Sequence, residues 1–463
     1  MLITRGFGKH MSSRINLWLQ ASQIPDWKGG DIMIKINPLS TLYVGIDVSS
    51  KSNYVCALDF YKNKYLSEPF SNNQPGAEEL VQKILDCLKE HPDLNTVIAA
   101  LESTSVYTVH IANYLSSCEQ LLKFKTYVFV LNPKCTANHK KSFIGLGKTD
   151  PIDAFIIADY ARAGNIETDP WRGSQFLALK RLTRHRLHLV ECMTREKAYL
   201  ASNLYLKFSQ LQLLEKDEQP FSSIFGATSS SILTEYLSPE DILNSPEEDL
   251  VAFIAEKSHN RISDISRTTK LLKKAARDSY RLDKALYEPI NVSIASSFNC
   301  IETFKKEIKA IDVAIEREIK GLSPNAFTIL QSIDGIGPVF AGGIVAEIGD
   351  IHAFHSADAL AKYAGLYWRH NDSGGYTSED NPMSKAGNRY LRYYLGEAAN
   401  SLRQHNAEYG AYYRKKYNEV PKHQHKRALA LTSRKFVRLV YGLLAKNQLY
   451  SGVSLDKTIE PSS

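Results

Sequence analysis

The sequence predicts an α/β domain followed by a mainly helical remainder, and three observations support this fold class. Between residues 41 and 131, short apolar segments of strand type alternate with segments of helical spacing, which is typical of a sheet covered by helices. Residues 174–215 and 266–320 keep apolar residues at helical spacing over unusual lengths. The chain has 463 residues, which exceeds one ordinary domain.

The α/β domain is predicted over residues 41–173. Leu42–Asp47 and Tyr54–Asp59 are rich in β-forming residues, and the small and polar residues between them predict a turn, so these strands should form a hairpin. The later elements expected here are helices over Gly76–His91 and Val106–Leu115 and strands over Thr96–Leu101 and Thr126–Leu131.

Residues 174–322 are predicted to form a helical arm. Its two long segments, 174–215 and 266–320, indicate an antiparallel pair that packs like a coiled coil. The insert between them, about 216–265, is rich in Ser, Glu and Pro. Within it, Ser238-Pro239 and Ser245-Pro246 have the pattern of helix starts.

A third domain is predicted over residues 323–450. Phe327–Ile333 and Val339–Ile348 have helical spacing and flank a turn that contains Gly335 and Gly337, which predicts a helix-hairpin-helix. The turn amides can bind a backbone phosphate, although a plain corner between helices explains the same pattern. We expect residues 1–40 to be an extension, of which 1–32 are either the product of an upstream start codon or a weakly structured arm. Residues 1–32 should be dispensable, because they lack patterned apolar spacing and Met33 precedes the first strand. Residues 451–463 are expected to be a frayed tail.

Composition and charge restrict the class of protein. The mean hydropathy is −0.28, and no apolar run approaches the roughly 18–20 residues of a membrane helix, which excludes a membrane-spanning protein. Six cysteines without a CxxC pair argue against a disulfide framework or structural zinc and favour a reducing cytoplasm. Residues 401–446 hold eleven basic and two acidic residues, which indicates either a polyanion partner or a solvated helical face.

Four acidic residues lie at the ends of predicted elements. Asp47 and Glu102 end strands, and Asp150 and Asp153 share one face at a helix start. Because strand ends of an α/β sheet open onto one rim, the four can converge there. Such oxygen ligands suit Mg²⁺ or Mn²⁺, and two ions can activate water and stabilise the leaving oxygen in phosphodiester cleavage. Each acid alone also fits a structural role, as a turn former or, for Asp150, as a helix N-cap.

Three segments make the first half recognisable: GIDVSSKSNYVCALD, ALESTSVYTVHIANYL and LNPKCTANHKKSFIGLGKTDPIDAFIIADYA. Together they resemble the DEDD transposases of the insertion-sequence 110 family, which are related to the Piv and MooV DNA invertases. The resemblance extends over about residues 40–445. It implies a RuvC-like N-terminal domain with the RNase H fold. It also implies that Asp47, Glu102, Asp150 and Asp153 form a catalytic tetrad that binds Mg²⁺ or Mn²⁺.

The second half continues the resemblance through Ser373-Gly374 and the segment KAGNRYLR at residues 385–392. This implies that Ser373 is a nucleophile that attacks DNA and conserves the bond energy in a phosphoserine link. Ser378 and Ser384 are rival nucleophiles in the same stretch, and residues 378–380 lack a basic residue that the family often carries there.

Nine residues are predicted to contact nucleic acid. Of these, Lys385, Arg389 and Arg392 can donate to the charge that develops at the phosphate, and the two arginines share a helix face. The full set is Lys148, Arg181, Arg184, Gly335, Gly337, Lys385, Asn388, Arg389 and Arg392.

The resemblance implies a transposase or recombinase of an insertion sequence, acting in the cytoplasm at the nucleoid of a bacterium or archaeon. A noncoding bridge RNA would pair with donor and target DNA, which explains why no helix obviously reads bases. The acids and Ser373 are expected to form one composite site across two protomers, in a dimer or tetramer. Three alternatives stay open: a Piv-like site-specific invertase, a RuvC-like junction nuclease in which Ser373 plays no part, and an inactive nucleic-acid-binding protein.

Overall fold

The computed structural model describes residues 36–103, 106–166, 170–171, 173–368 and 383–452, together with the backbone of residues 372–373 and 376–377. By internal contacts the chain divides into two compact units between Ser174 and Gln175. The first unit is built on a mixed sheet and the second is mainly helical, so the predicted α/β plus α fold class is confirmed. Within the described ranges, no helix combines the length and the apolar character that crossing a bilayer requires.

The sheet of the first unit consists of β1 Thr41–Val48, β2 Ser52–Leu58, β3 Lys64–Ser71, β4 Thr96–Glu102 and β5 Lys125–Leu131. Its strand order is β3-β2-β1-β4-β5. The first three strands form an antiparallel meander, whereas β1, β4 and β5 run parallel. The carboxyl ends of β1 and β4 therefore lie side by side at one edge of the sheet.

The helices described in this unit are α1 Gln74–Glu90, α2 Tyr107–Ser117, α3 Glu119–Leu122, α4 Pro133–Lys140 and α5 Asp150–Arg162. The hairpin and the two later strands agree with the sequence prediction. β3 and α4 were not predicted. β3 is an edge strand in which only Phe70 is buried, so it lacks the apolar alternation that marks a strand. For α4 the signal was present, because Asn132 caps the helix by accepting from the Lys134 amide and Pro133 is its first residue.

Helix α5 lies directly against β1, and Gly45 makes this approach possible. A Cβ atom at position 45 would lie 2.3 Å from both the Ala154 carbonyl oxygen and the Ala158 amide nitrogen. Residues two apart in a strand point to the same face, so Asp47 faces the side of the sheet that α5 covers. The glycine thereby sets how closely the helix that carries Asp150 and Asp153 approaches the strand that carries Asp47.

The second unit begins with an arm of two long helices, α6 Leu177–Lys207 and α11 Lys284–Leu322. Between them lie α7 Ala227–Glu235, α8 Pro239–Asn244, α9 Glu247–Ser258 and α10 Ile265–Asp278. Arg186 pairs with Asp312 at 2.5 Å, and Lys207 reaches Asn291, so α6 and α11 pack antiparallel as predicted. The predicted helix start at Ser238-Pro239 is also confirmed, with a capping box between Ser238 and Asp241.

The prediction of one continuous helix over 266–320 is wrong. Helix α10 ends at Asp278, and α11 starts after Asp283, whose side chain accepts from the Ala285 amide. The connecting residues dock on the segment that follows α6, where the Ser209 hydroxyl accepts from the Tyr280 amide. The first arm helix is also shorter than predicted and ends at Lys207. The buried ammonium of Lys207 donates to the Leu233 carbonyl oxygen near the C-terminal end of α7.

The remaining elements are α12 Pro324–Gln331, α13 Pro338–Ile348, α14 Ala357–Ala364, β6 Asp372–Ser373, β7 Tyr376–Thr377, α15 Arg389–His405, α16 Ala407–Asn418 and α17 Gln424–Lys446. The predicted helix, glycine turn and helix are present as α12, the turn and α13. Gly335 has a φ of 88°, and its carbonyl oxygen accepts from the Ser401 hydroxyl on α15 at 2.7 Å. Tyr394 packs on Gly343 and donates to the Thr183 carbonyl oxygen at 2.6 Å, which joins α15 to α6.

Candidate active site

Two of the predicted acids lie at the carboxyl ends of neighbouring parallel strands. Ile46 of β1 is in register with Leu101 of β4, so Asp47 and Glu102, which follow them, sit side by side at the carboxyl edge. Because the two acids occupy equivalent positions of adjacent strands, they project from the same face of the sheet. That is the face against which α5 packs.

The other two acids lie in the first turn of α5. Asp150 is its first residue and Asp153 lies one turn on, while the N-cap position belongs to Thr149. The alternative role of Asp150 as an N-cap is therefore wrong. Carboxylates in a first helical turn interact favourably with the unpaired amides and the dipole at that end. The close packing of α5 on β1 brings this turn towards the strand end that carries Asp47.

The electrostatics of Asp47 show that the four acids share one environment. Burial raises the pKa of Asp47 to about 6, with further contributions from the negative charges of Asp153, Glu102 and Asp150, in that order. The positive charge of Lys148 opposes this rise. A purely structural carboxylate is usually surrounded by donors and cations, which lower its pKa. Asp47 has the opposite character. Asp47, Glu102, Asp150 and Asp153 are together called the acidic cluster below.

Two side chains of α4, one helical turn apart, bind members of the acidic cluster. The Thr136 hydroxyl donates to Glu102 Oε1, and the Lys140 ammonium lies 2.5 Å from Asp153 Oδ1. Thr136 is buried and Lys140 half-buried, so neither contact is a loose surface pair. Neither residue was predicted from the sequence. Their i, i+4 spacing directly after a strand, with an Asn-Pro helix start, was the available signal.

Helix α4 is itself fixed to α5 by a second polar group. Asp159 of α5 is 2% exposed and binds His139 at 3.0 Å, Arg162 at 2.8 Å and Lys62 at 3.1 Å. Burial would raise the pKa of Asp159, but the hydrogen bonds from Arg162, His139 and Lys62 outweigh it and lower the pKa below its ordinary value. The lowered pKa of Asp159 contrasts with the raised pKa of Asp47. Asp159 has a structural role, because its contacts hold α4 against α5.

The donor set of the acidic cluster fits a hard divalent cation by its chemistry, since it consists of carboxylates. In the described part of the chain, however, no three His, Cys, Asp or Glu side chains are close enough to hold one ion. Lys140 instead provides the positive charge on Asp153. The residues that would hold Mg²⁺ or Mn²⁺ are Asp47, Glu102, Asp150 and Asp153.

Ser373 lies in a small hairpin of the second unit. Strand β6 pairs antiparallel with β7, and Ser373 is opposite Tyr376. Gly374 and the rival nucleophile Ser378 lie outside the described residues. The other rival, Ser384, has a hydroxyl oxygen that is shielded from solvent and has no hydrogen-bond partner among the described residues, while its amide donates to the Tyr367 carbonyl oxygen.

Three of the predicted nucleic-acid contacts are engaged inside the second unit. Arg184 binds the buried Glu347 through two hydrogen bonds of 2.7 and 2.8 Å. Asn388 caps α15 and also donates to Glu347, at 2.8 Å. Arg392 donates to the carbonyl oxygens of Ala364 and Lys385. All three side chains therefore make contacts within the second unit. Glu347 was not predicted from the sequence, because it lies in an otherwise apolar helix.

The other predicted contacts remain accessible. Arg389 keeps 60% of its side chain exposed while it pairs with Glu191 at 3.7 Å, and its guanidinium lies over the Tyr390 ring. Lys148 and Arg181 are exposed. Gly335 and Gly337 lie in the open turn between α12 and α13, beside Ser401 and His405.

Two family models match the chain. The IS110-type DEDD model, described as a transposase, matches residues 44–209, and the transposase IS116/IS110/IS902 family matches residues 327–414. The first match contains the whole acidic cluster, and the second contains the glycine turn and Ser373. The chain belongs to the IS110 family of transposases. It is therefore a transposase or recombinase enzyme.

Similarity to individual proteins extends over most of the chain. The insertion element IS900 uncharacterized 42 kDa protein of Mycobacterium paratuberculosis is 27% identical over 88% of this chain and 97% of its own length. The insertion element IS116 uncharacterized 44.8 kDa protein of Streptomyces clavuligerus is 23% identical over 89% and 96%. A pilin gene-inverting protein of Moraxella lacunata is 21% identical over 76% and 80%.

Proposed function

We propose that this transposase moves an insertion sequence by cutting and rejoining DNA with the acidic cluster and Ser373. The observation that carries the proposal is the placement of four acids at adjoining element ends: Asp47 and Glu102 side by side on β1 and β4, and Asp150 and Asp153 in the first turn of α5. Burial and the three neighbouring carboxylates also raise the pKa of Asp47 to about 6. Concentrating negative charge destabilises a fold, so such an arrangement is typical of a functional site that a cation completes. The strand-end and helix-start positions of the four acids support the same interpretation.

Asp47, Glu102, Asp150 and Asp153 would hold Mg²⁺ or Mn²⁺. When bound, such ions activate the attacking oxygen and stabilise the leaving oxygen of a phosphodiester. The chain contributes the geometry: β1 and β4 fix Asp47 and Glu102, α5 fixes the other two acids, and Thr136 orients Glu102. Glycine at 45 allows α5, which carries Asp150 and Asp153, to lie directly against β1.

Ser373 is proposed as the nucleophile. Its Oγ–P bond would form as the bond from phosphorus to the leaving DNA oxygen breaks, and the serine proton would pass to that oxygen, which leaves as a hydroxyl. The reverse step, with a new DNA hydroxyl, would rejoin the strands without an external energy source. Two features support Ser373 over its rivals: its Ser-Gly pair matches the family pattern, and the Ser384 hydroxyl is shielded from solvent.

Donor DNA, target DNA and a noncoding bridge RNA are the proposed partners, with a dimer or tetramer as the working form. Besides the family resemblance, the charge of α16 and α17 supports a polyanion partner. Lys416, Arg427 and Lys435 pair with Glu419 or Glu408. By contrast, no ion pair is found within the described ranges for Arg414, Lys415, Lys422 and Lys426.

The decisive experiment is a search for a covalent protein–DNA adduct. The full chain is incubated with RNA transcribed from the noncoding flank of its gene, Mg²⁺ and end-labelled DNA that carries the junction of element and flank. A protease-sensitive adduct that is lost in Ser373→Ala and kept in Ser378→Ala and Ser384→Ala is expected. An adduct that persists in Ser373→Ala would refute the assignment, and cleavage without any adduct would favour a junction nuclease.

A site-specific invertase is the second candidate, and the similarity to the pilin gene-inverting protein favours it. The same residues would serve both reactions, so the DNA substrate decides. A plasmid that carries the gene with its own flanks should yield insertions at new sites for a transposase and only inverted segments for an invertase.

A further inference from the structure

The loop between α4 and α5 exposes two large apolar side chains. Ile144 is 101% exposed and Leu146 is 39% exposed, with Gly145 between them. Single exposed apolar residues are ordinary on a protein surface, but a loop tip built from two of them is typical of a contact site.

The base of this loop is held by a hydrogen bond and by ring contacts. The Ser142 hydroxyl donates to the His139 carbonyl oxygen at 2.7 Å. The Phe143 ring lies edge-on to the rings of His139 and Phe155, with centroids 5.5 and 6.1 Å away. Ile144 is the first residue beyond this anchor.

The tip itself is slender. Gly145 has a φ of 79°, and a Cβ atom there or at Gly147 would meet no other atom within 4 Å. Because neither glycine has a side chain, Ile144 and Leu146 are the side chains that project from the loop tip.

The loop ends at the acidic cluster. Lys148 follows it and influences the pKa of Asp47, and Asp150 begins α5 two residues later. Lys141 and Lys148, at the two ends of the loop, are both exposed. An apolar tip flanked by lysines beside the acids matches DNA, whose phosphates lie on either side of stacked apolar bases.

We propose that Ile144, backed by Leu146, inserts between base pairs of duplex DNA next to the phosphate that is cut, and so unstacks that step. Two side chains are too few for a protein interface, which needs about 800 Å² on each partner. They do suit the gap between two base pairs, into which proteins insert Ile, Leu, Met or Phe as wedges. This inference rests on the proposed function, because it assumes that the DNA at the acidic cluster is the one being cut.

The test measures base unstacking independently of cleavage. The full chain with its flank-encoded RNA is bound, without divalent metal, to junction DNA in which 2-aminopurine replaces each base beside the element boundary in turn. Unstacking raises the fluorescence of 2-aminopurine. We expect a rise at one step with the native chain and with Ile144→Leu, and loss of most of that rise with Ile144→Ser.

The matched control is Leu122→Ser. Leu122 is 58% exposed and precedes β5, so it lies at the sheet edge opposite the acids, and its replacement should leave the fluorescence unchanged. With Mg²⁺ present, Ile144→Ser should cut intact DNA about tenfold more slowly, as the loss of one buried aliphatic contact predicts. A mismatch at the unstacked step should restore the rate.

The possible outcomes distinguish failure of the Ile144 wedge from failure of the proposed function. Equal fluorescence for the native chain and Ile144→Ser, or no rise at any position, would overturn the wedge and leave the proposed function untouched. A fluorescence rise that depends on Ile144, without strand cleavage by any variant, would support the wedge and count against the proposed function. Failure of the mismatch to rescue Ile144→Ser would also count against the wedge.

Discussion

Arg184 and Glu347, which are 163 residues apart in the chain, form a bidentate ion pair with N–O distances of 2.7 and 2.8 Å. The Glu347 carboxylate is completely buried, and Asn388 donates to it as well. Helices α6, α13 and α15 therefore meet at one carboxylate. Arg184, which the sequence predicts to contact nucleic acid, thus joins the arm to the C-terminal helices.

We expect Arg184→Ala to destabilise the second unit, because it leaves the Glu347 charge buried without its guanidinium. Breaking a buried pair in this way costs about 3 kcal/mol or more. Urea denaturation followed by circular dichroism measures the change. Arg181→Ala is the matched control, since Arg181 is exposed on the same helix and should leave the stability unchanged. Equal stability of both variants would show that the pair does not stabilise the fold.

Lys207 gives a pH-dependent stability. Burial lowers the pKa of its ammonium from 10.5 to about 8. Between these values the unfolded chain binds a proton that the folded chain does not, so stability rises with pH across this window, by about 3 kcal/mol in total. Unfolding experiments at pH 8 and pH 10 should show the rise in the native chain but not in Lys207→Met. Parallel curves for both proteins would contradict the prediction.

The acidic cluster should oppose folding while it supports catalysis. Asp47→Asn removes one of four mutually repelling charges, so we expect a melting temperature in EDTA above that of the native chain, together with loss of strand exchange. Asp150→Asn should likewise lose strand exchange and keep nucleic-acid binding, as measured by filter retention. An active Asp150→Asn would exclude Asp150 from the reaction, and a lowered melting temperature of Asp47→Asn would assign Asp47 a structural role.

Thr136 and Lys140 should affect Mn²⁺ binding in opposite directions. Thr136→Val frees Glu102 from its orienting hydrogen bond, and loss of such a partner typically weakens metal binding about 10–100-fold. Lys140→Met removes a cation that competes for Asp153 and should tighten binding. Calorimetric titration of the full chain with Mn²⁺ measures both effects.

Two further variants test the specificity of these effects. Thr136→Ser keeps the hydroxyl and should bind Mn²⁺ as the native chain does. Lys141→Met replaces an exposed neighbouring lysine and should have no effect. A change of the same sign in Thr136→Val and Lys140→Met would indicate general damage to the site.

Lys415 should contribute to nucleic-acid affinity and Lys435 should not. Lys415 has no ion pair in the described part of the chain, whereas Lys435 pairs with Glu408 at 2.7 Å and lies over Tyr409. If Lys415 neutralises one phosphate, Lys415→Ala should reduce the slope of log affinity against log salt by about 0.9 on duplex DNA. Lys435→Ala should leave that slope unchanged. Identical slopes for the native chain and both variants would place the contact surface elsewhere.

Local patterns in the sequence predicted the elements that are buried on a regular face. The strands that carry Asp47 and Glu102, the first turn of α5, and the glycine turn at Gly335 follow from apolar runs and turn residues. β3 could not be predicted because an edge strand buries little, and the break at Ser279 depends on contacts with Ser209 across the fold.

The candidate site likewise contains residues that the sequence predicts and residues that only the structure shows. The four acids could be predicted from the sequence, because they are acidic residues at the ends of predicted elements. Side chains that act through another residue cannot be recognised in this way. The roles of Thr136 and Lys140 depend on the contacts of α4 with Glu102 and Asp153, which only the structure shows. Glu347 likewise looks like an isolated charge in an apolar helix until Arg184 is placed beside it.

Gly45 bears on which related genes encode an active protein. Any side chain at that position would push α5 away from β1 and separate acids that are themselves unchanged. We expect a copy that keeps all four carboxylates but has alanine at position 45 to be inactive. Residue 45 should therefore be considered together with the acids when functional copies are counted.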